Sequence, residues 1–146
     1  MRAETGLLVG IALCASCSGT TETHLETPSY LWNVEDGRCG QTMAMDGKSG
    51  LWVEGGCEKG GSRLGFQRAL SGAERMAIES SFRALPEPAT YTPPECVERG
   101  KRYRFSERAK HGPREWTLCV ENVTGLEELP MPFRQTEAAF KAIATP

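Results

Sequence analysis

Two sets of residues in this 146-residue chain could do chemistry: six cysteines, and a run of seven basic side chains in its second half. Thiolates attack, bind metals or pair as disulfides, and their spacing and compartment decide which. Cys14 and Cys17 spell C-x-x-C, the spacing of a redox pair, yet no strand–helix unit surrounds them, which argues against a thioredoxin-type site. The other four, Cys39, Cys57, Cys96 and Cys119, are separated by 17, 38 and 22 residues, whereas a zinc site needs close ligand pairs, so no metal is expected. With only His24 and His111 available, a histidine-based triad or a His-Glu-x-x-His site cannot be assembled in a recognised pattern. Gly47-Lys48-Ser49 could end a phosphate-binding loop, but the glycine required five residues earlier is Thr42 and no helical pattern follows, so it reads as a hairpin turn. No nucleophile sits beside a base and no carboxylate pair has a recognisable acid–base context. No catalytic residue is assigned, no cofactor is expected, and the chain reads as a non-enzyme.

The basic run comprises Arg99, Lys101, Arg102, Arg104, Arg108, Lys110 and Arg114, opposed within that stretch by Glu107 alone, a local charge of 7 − 1 = +6. Tyr103 and Phe105 interleave with Arg102 and Arg104. Such a stripe suits a partner-binding patch or an anionic surface, but a half-buried hairpin with aromatics inward and arginines outward produces the same alternation. The whole chain carries a net charge of −2, so general polyanion binding is not implied, and nucleic acid is not an expected partner.

What these side chains can do depends on where the chain goes, and its first residues bear on that. Arg2 precedes the apolar run Leu7-Leu8-Val9-Gly10-Ile11-Ala12-Leu13, the order of a signal peptide and too short for a permanent membrane span. Ala15-Ser16-Cys17 then resembles the lipobox of bacterial lipoproteins, in which small residues precede a cysteine that is lipidated and becomes the new N-terminus. The resemblance implies removal of residues 1–16, lipidation (palmitate among the acyl chains) at Cys17, and a cell-envelope location, with Ser18 in keeping with an outer membrane. Ordinary signal cleavage near the same place, giving a secreted or periplasmic protein, is the other outcome the leader allows. Residues 17–29, polar and threonine-rich after the cysteine, read as a flexible tether.

Removing the leader leaves 146 − 16 = 130 residues, one domain's worth, and residues 30–146 are expected to form it. With Cys14 discarded and Cys17 lipidated, four cysteines remain in an oxidising compartment, an even number that predicts two disulfides. Three connectivities are possible. Pairing within each strand-rich half, Cys39 with Cys57 and Cys96 with Cys119, is favoured.

The elements that must hold these residues follow from periodicity. Tyr30, Trp32 and Val34 alternate with Leu31, Asn33 and Glu35 before the turn Asp36-Gly37. Further strands are expected at Thr42–Met45, Leu51–Val53 and Leu64–Gln67, forming a meander. Leu70–Leu85 predicts a helix, with Ser71 and Glu74 as a capping box and Ile78, Phe82 and Leu85 on one face. Four prolines in residues 86–94 predict a stiff extended connection. Lys101–Glu107 and Trp116–Val120 form a hairpin about a turn at Lys110-His111-Gly112-Pro113. A last helix follows Pro130, with Pro132 in its first turn and Thr136, Ala139, Phe140 and Ile143 on one face. The expected class is α+β, a mainly antiparallel sheet with two helices in the order strands, helix, strands, helix.

Over Gly55–Ile143, the Gly-Gly turn, short strand, helix closing on Phe82-Arg83-Ala84-Leu85-Pro86, two-stranded segment and closing helix resemble the emfourin-like inhibitors of thermolysin-type metalloproteases. That resemblance implies a protease as the partner. The alternative is an envelope protein bound by a lipid-anchored, disulfide-stapled interaction domain.

Overall fold

A computed structural model describes residues 28–57, 64–90, 100–109, 112–120 and 129–144. Among these, six strands form one antiparallel sheet: β1 (Tyr30–Asp36), β2 (Cys39–Met45), β3 (Gly50–Gly56), β4 (Gly65–Ala69), β5 (Lys101–Ala109) and β6 (Gly112–Val120), in the spatial order β4-β3-β2-β1-β5-β6. Two helices, α1 (Gly72–Arg83) and α2 (Met131–Ala144), complete the expected α+β layout. The meander β1–β4 runs to one edge. Helix α1 follows it, and β5 then pairs with β1 on the other side.

The register explains why the sheet is two-faced. Val53, Met43, Trp32, Phe105 and Trp116 are successive partners across five strands. Successive residues in a strand point to opposite faces, so this row and those two residues away in each strand share one side, the inner face. Both helices bury their apolar stripes there: Ile78 and Phe82 of α1, and Phe133, Thr136, Phe140 and Ile143 of α2. Phe82 is the hub, with ring centroids 5.0 Å from Tyr30 and 6.2 Å from both Trp116 and Phe140. Such pairs add about 0.5–1.5 kcal/mol each beyond the area they bury.

Helix α1 begins as its sequence predicts. The Ser71 hydroxyl accepts from the Glu74 amide at 3.2 Å, and the Glu74 carboxylate accepts from the Ser71 amide at 2.8 Å. Glu74 also takes the Arg68 guanidinium at 2.6 Å, and Arg68 donates onward to the Ile143 carbonyl at 2.8 Å. One arginine thereby ties β4, the start of α1 and the end of α2. The Arg68 hydrogen bond, followed by that from the Ser71 amide, draws the Glu74 carboxyl down to about 2.

The Asp46–Gly50 connection is a hairpin turn. Its Asp46 carboxylate accepts from the Lys48 amide (2.8 Å), the Gly50 amide (2.7 Å) and the Trp52 indole (2.9 Å). Burial pushes this carboxyl up, but the three hydrogen bonds outweigh it and hold Asp46 below its ordinary value. Gly50 is required by closeness: a Cβ there would lie 2.7 Å from Asp46 Oδ2 and 3.0 Å from the Phe66 ring.

Three expectations are corrected or narrowed. The connection after Pro86 is not extended throughout, because Pro88–Thr90 forms a 3₁₀ turn in which the Thr90 amide and hydroxyl both donate to the Glu87 carbonyl. Gly112 and Pro113 open β6 instead of lying in the turn. Edge strand β6 tolerates Pro113, since a missing N–H on the outer edge breaks no ladder bond. The Cys39–Cys57 disulfide is present, whereas Cys96, the expected partner of Cys119, lies outside the described residues, as do Cys14, Cys17 and the leader.

Candidate functional site

The five described residues of the basic run do not share one face of the sheet. Arg99 and Lys110 lie outside the described residues, and the hairpin register divides the other five between the two faces of the sheet. Arg102 and Arg104 lie on the outer face with their side chains more than half exposed, as the alternation predicts. Arg104 pairs with Glu115 at 2.6 Å, and Arg102 approaches Glu35 at 4.0 Å. Arg108 is exposed near the opposite end of β5.

Arg114 goes the other way. Sharing the inner face with Trp116, it lies over that ring at 4.8 Å, donates to the Phe82 carbonyl and pairs with the largely buried Glu107 at 3.4 Å. The sequence groups Arg114 with the outward basic run; the register instead places it on the face of Trp116, opposite the buried Glu107. That pair belongs to the core, where a carboxylate excluded from water requires a cation.

The outer face carries neither described helix. Glu54, Thr42, Asn33, Arg104 and Thr117 are partners in register across five strands, a polar row in which the Asn33 amide donates to the Thr42 hydroxyl at 2.9 Å. Two shallow depressions meet along this row and share Asn33 and Glu35. Towards β4 the face becomes apolar, where Phe66, 53 % exposed, packs edge-on against Trp52 at 5.5 Å.

A second feature lies on the inner side, where α2 leaves the last residues of β1 uncovered. There a cleft of about 310 Å³ opens beside the Cys39–Cys57 disulfide. Trp32 forms part of its wall, and among the described residues its indole N–H has no hydrogen-bond acceptor. The other two indoles are satisfied, Trp52 by Asp46 and Trp116 by the Pro86 carbonyl at 2.8 Å. Two ion pairs line the cleft: Lys101 with Asp36 at 3.8 Å, and Lys141 with Glu137 at 2.7 Å. Tyr103, half-buried between them, has its hydroxyl pushed up by burial and then by the Glu137 and Asp36 carboxylates.

Sequence reasoning passed over this cleft. The Glu137–Lys141 spacing at i,i+4 marks a helix-surface pair, yet nothing local places it against β1 and β5. Among the described residues, no group of three or more His, Cys, Asp or Glu side chains could hold a metal ion, and no helix is long and apolar enough to cross a membrane. Searches for a matching protein family and for a similar curated protein both find no match.

Proposed function

We propose that this chain is an exported lipoprotein, held at a cell-envelope membrane through Cys17, whose domain binds an envelope protein and catalyses nothing. The observation that carries the anchoring half is the order of Leu7–Leu13, Ala15-Ser16 and Cys17. The fold supports the presenting half. Ser29 is hydrogen-bonded to both Met45 and Arg108, so the chain reaches β1 in the middle of the sheet. The outer face lies along the strands that follow.

On this reading Asn33, Thr42, Arg104 and Glu115 supply the polar part of the contact, and Phe66 supplies its apolar anchor. The Arg104–Glu115 pair is exposed and contributes little to stability, which leaves both groups available to re-pair with a partner. A thermolysin-like protease remains the specific alternative partner, because the described order β4, α1, β5–β6, α2 follows the order of elements in that resemblance.

The test has two arms. Labelling with an alkynyl fatty acid in a bacterial host should mark the wild-type chain and not Cys17→Ser; equal labelling of both would end the lipoprotein reading. Cross-linking in intact envelopes should yield a discrete adduct that Phe66→Glu and Arg104→Glu each diminish. An adduct unaffected by both variants would remove the outer face from the account. Stoichiometric loss of thermolysin activity on adding the purified protein would favour the inhibitor instead.

A further inference from the structure

We propose that the cleft between α2 and the disulfide-bearing end of β1 binds a neutral saccharide ring. The two carboxylates and two ammonium groups that line it cancel in charge, and each acid already has a basic partner, at 3.8 Å and 2.7 Å. An ion entering the cleft meets no net attraction and competes with existing pairs. A neutral hydroxylated ring competes with neither, because each hydroxyl both donates and accepts and can bridge an ammonium and a carboxylate that already sit side by side.

The rest of the cleft fits the same ligand. Val34, the Tyr103 ring and the Cys39–Cys57 disulfide give it an apolar wall suited to the C–H face of a pyranose, and Gln41 adds an amide at the rim. The Trp32 indole N–H, buried without an acceptor among the described residues, is a donor for which a ring or acetamido oxygen is the complement. Trp32 is 0 % exposed, so admitting that oxygen requires Lys141, 5.7 Å over its ring on a side chain more than half exposed, to move aside. A volume of about 310 Å³ is at the small end of ligand clefts, which fits one or two sugar rings and not a long glycan. The inference is independent of the outer face and of what binds there.

The three indole N–H signals make the test direct. In a ¹H–¹⁵N correlation spectrum of the full chain in a sugar-free non-ionic detergent, the Trp32 signal is identified by its field position, upfield of the two hydrogen-bonded indoles. Glucose, galactose, N-acetylglucosamine and maltose are titrated separately, with free glycine and acetate as charged controls. The proposal expects at least one sugar to move the Trp32 indole proton downfield and saturably while Trp52 and Trp116 stay in place. Gln41→Ala and Asp36→Asn, both at exposed positions, should weaken that sugar about tenfold, a loss of about 1.4 kcal/mol. No movement with any of the four sugars overturns the proposal. So does equal movement with glycine or acetate, or sugar binding that both variants leave unchanged.

Discussion

Replacing Asp46 tests how the sheet is built, because one carboxylate satisfies three donors from one turn. Its Oδ1 accepts the Lys48 and Gly50 amides and its Oδ2 accepts the Trp52 indole, all within 2.7–2.9 Å. Trp52 is 4 % exposed, so an indole N–H that loses its acceptor regains little water. Asp46→Ala leaves both that donor and the Gly50 amide unmatched, and at about 1–3 kcal/mol per buried orphan the expected loss is about 3 kcal/mol. Asp46→Asn can keep a carbonyl oxygen towards the two amides but turns an NH₂ towards the indole, so about 1.5 kcal/mol is expected.

Urea denaturation followed by tryptophan fluorescence measures both losses, with an unchanged m-value showing that the shift in midpoint is one of stability. Acid adds a second signature. The folded-state carboxyl titrates below the 3.8 of the free side chain, so its contribution is complete above that value and disappears as pH falls through the folded one. The gap between wild type and Asp46→Asn should therefore narrow as pH drops below about 4. A loss under about 0.5 kcal/mol for Asp46→Ala, or an Asn variant worse than Ala, would refute this account of the turn.

Three further outcomes follow from the same geometry. Replacing Cys39 and Cys57 together with Ser removes a cross-link spanning 18 positions between two exposed residues, so the cost is mainly loop entropy, about 3 kcal/mol, read from the urea midpoint of the oxidised proteins. Arg114→Ala strips the cation from largely buried Glu107 and should cost about 3 kcal/mol, while Arg104→Ala, from an exposed pair, should cost under about 1 kcal/mol in the same assay. Gly50→Ala forces a methyl against the Asp46 carboxylate and the Phe66 ring, lowering stability by about 1–3 kcal/mol without altering the far-ultraviolet spectrum.

Local signals in the chain were enough to place most elements. Alternation grouped Tyr30, Trp32 and Val34 on one side, the side that packs into the core, and Ser71 and Glu74 marked the start of α1 because capping depends on residues three apart. Pairing of Cys39 with Cys57 was favoured because both lie in one strand-rich half, and the single β2–β3 hairpin between them returns the chain to the same end of the sheet. What escaped were long-range consequences. The basic run looks like one patch in one dimension, but strand geometry sends Arg114 to the opposite face from Arg102 and Arg104. The cleft is assembled from β1, β2, β5 and α2, and no spacing within any one of them foretells that Trp32 will be buried there without an acceptor.

The central claim, that an anchored chain presents a stapled domain, is tested most directly by non-reducing mass spectrometry of the full-length gene product extracted from membranes of a bacterial host. The account predicts a chain beginning at Cys17, carrying acyl mass on that residue, with Cys39 joined to Cys57 and Cys96 to Cys119. A chain that retains residues 1–16 with Cys17 unmodified would contradict it.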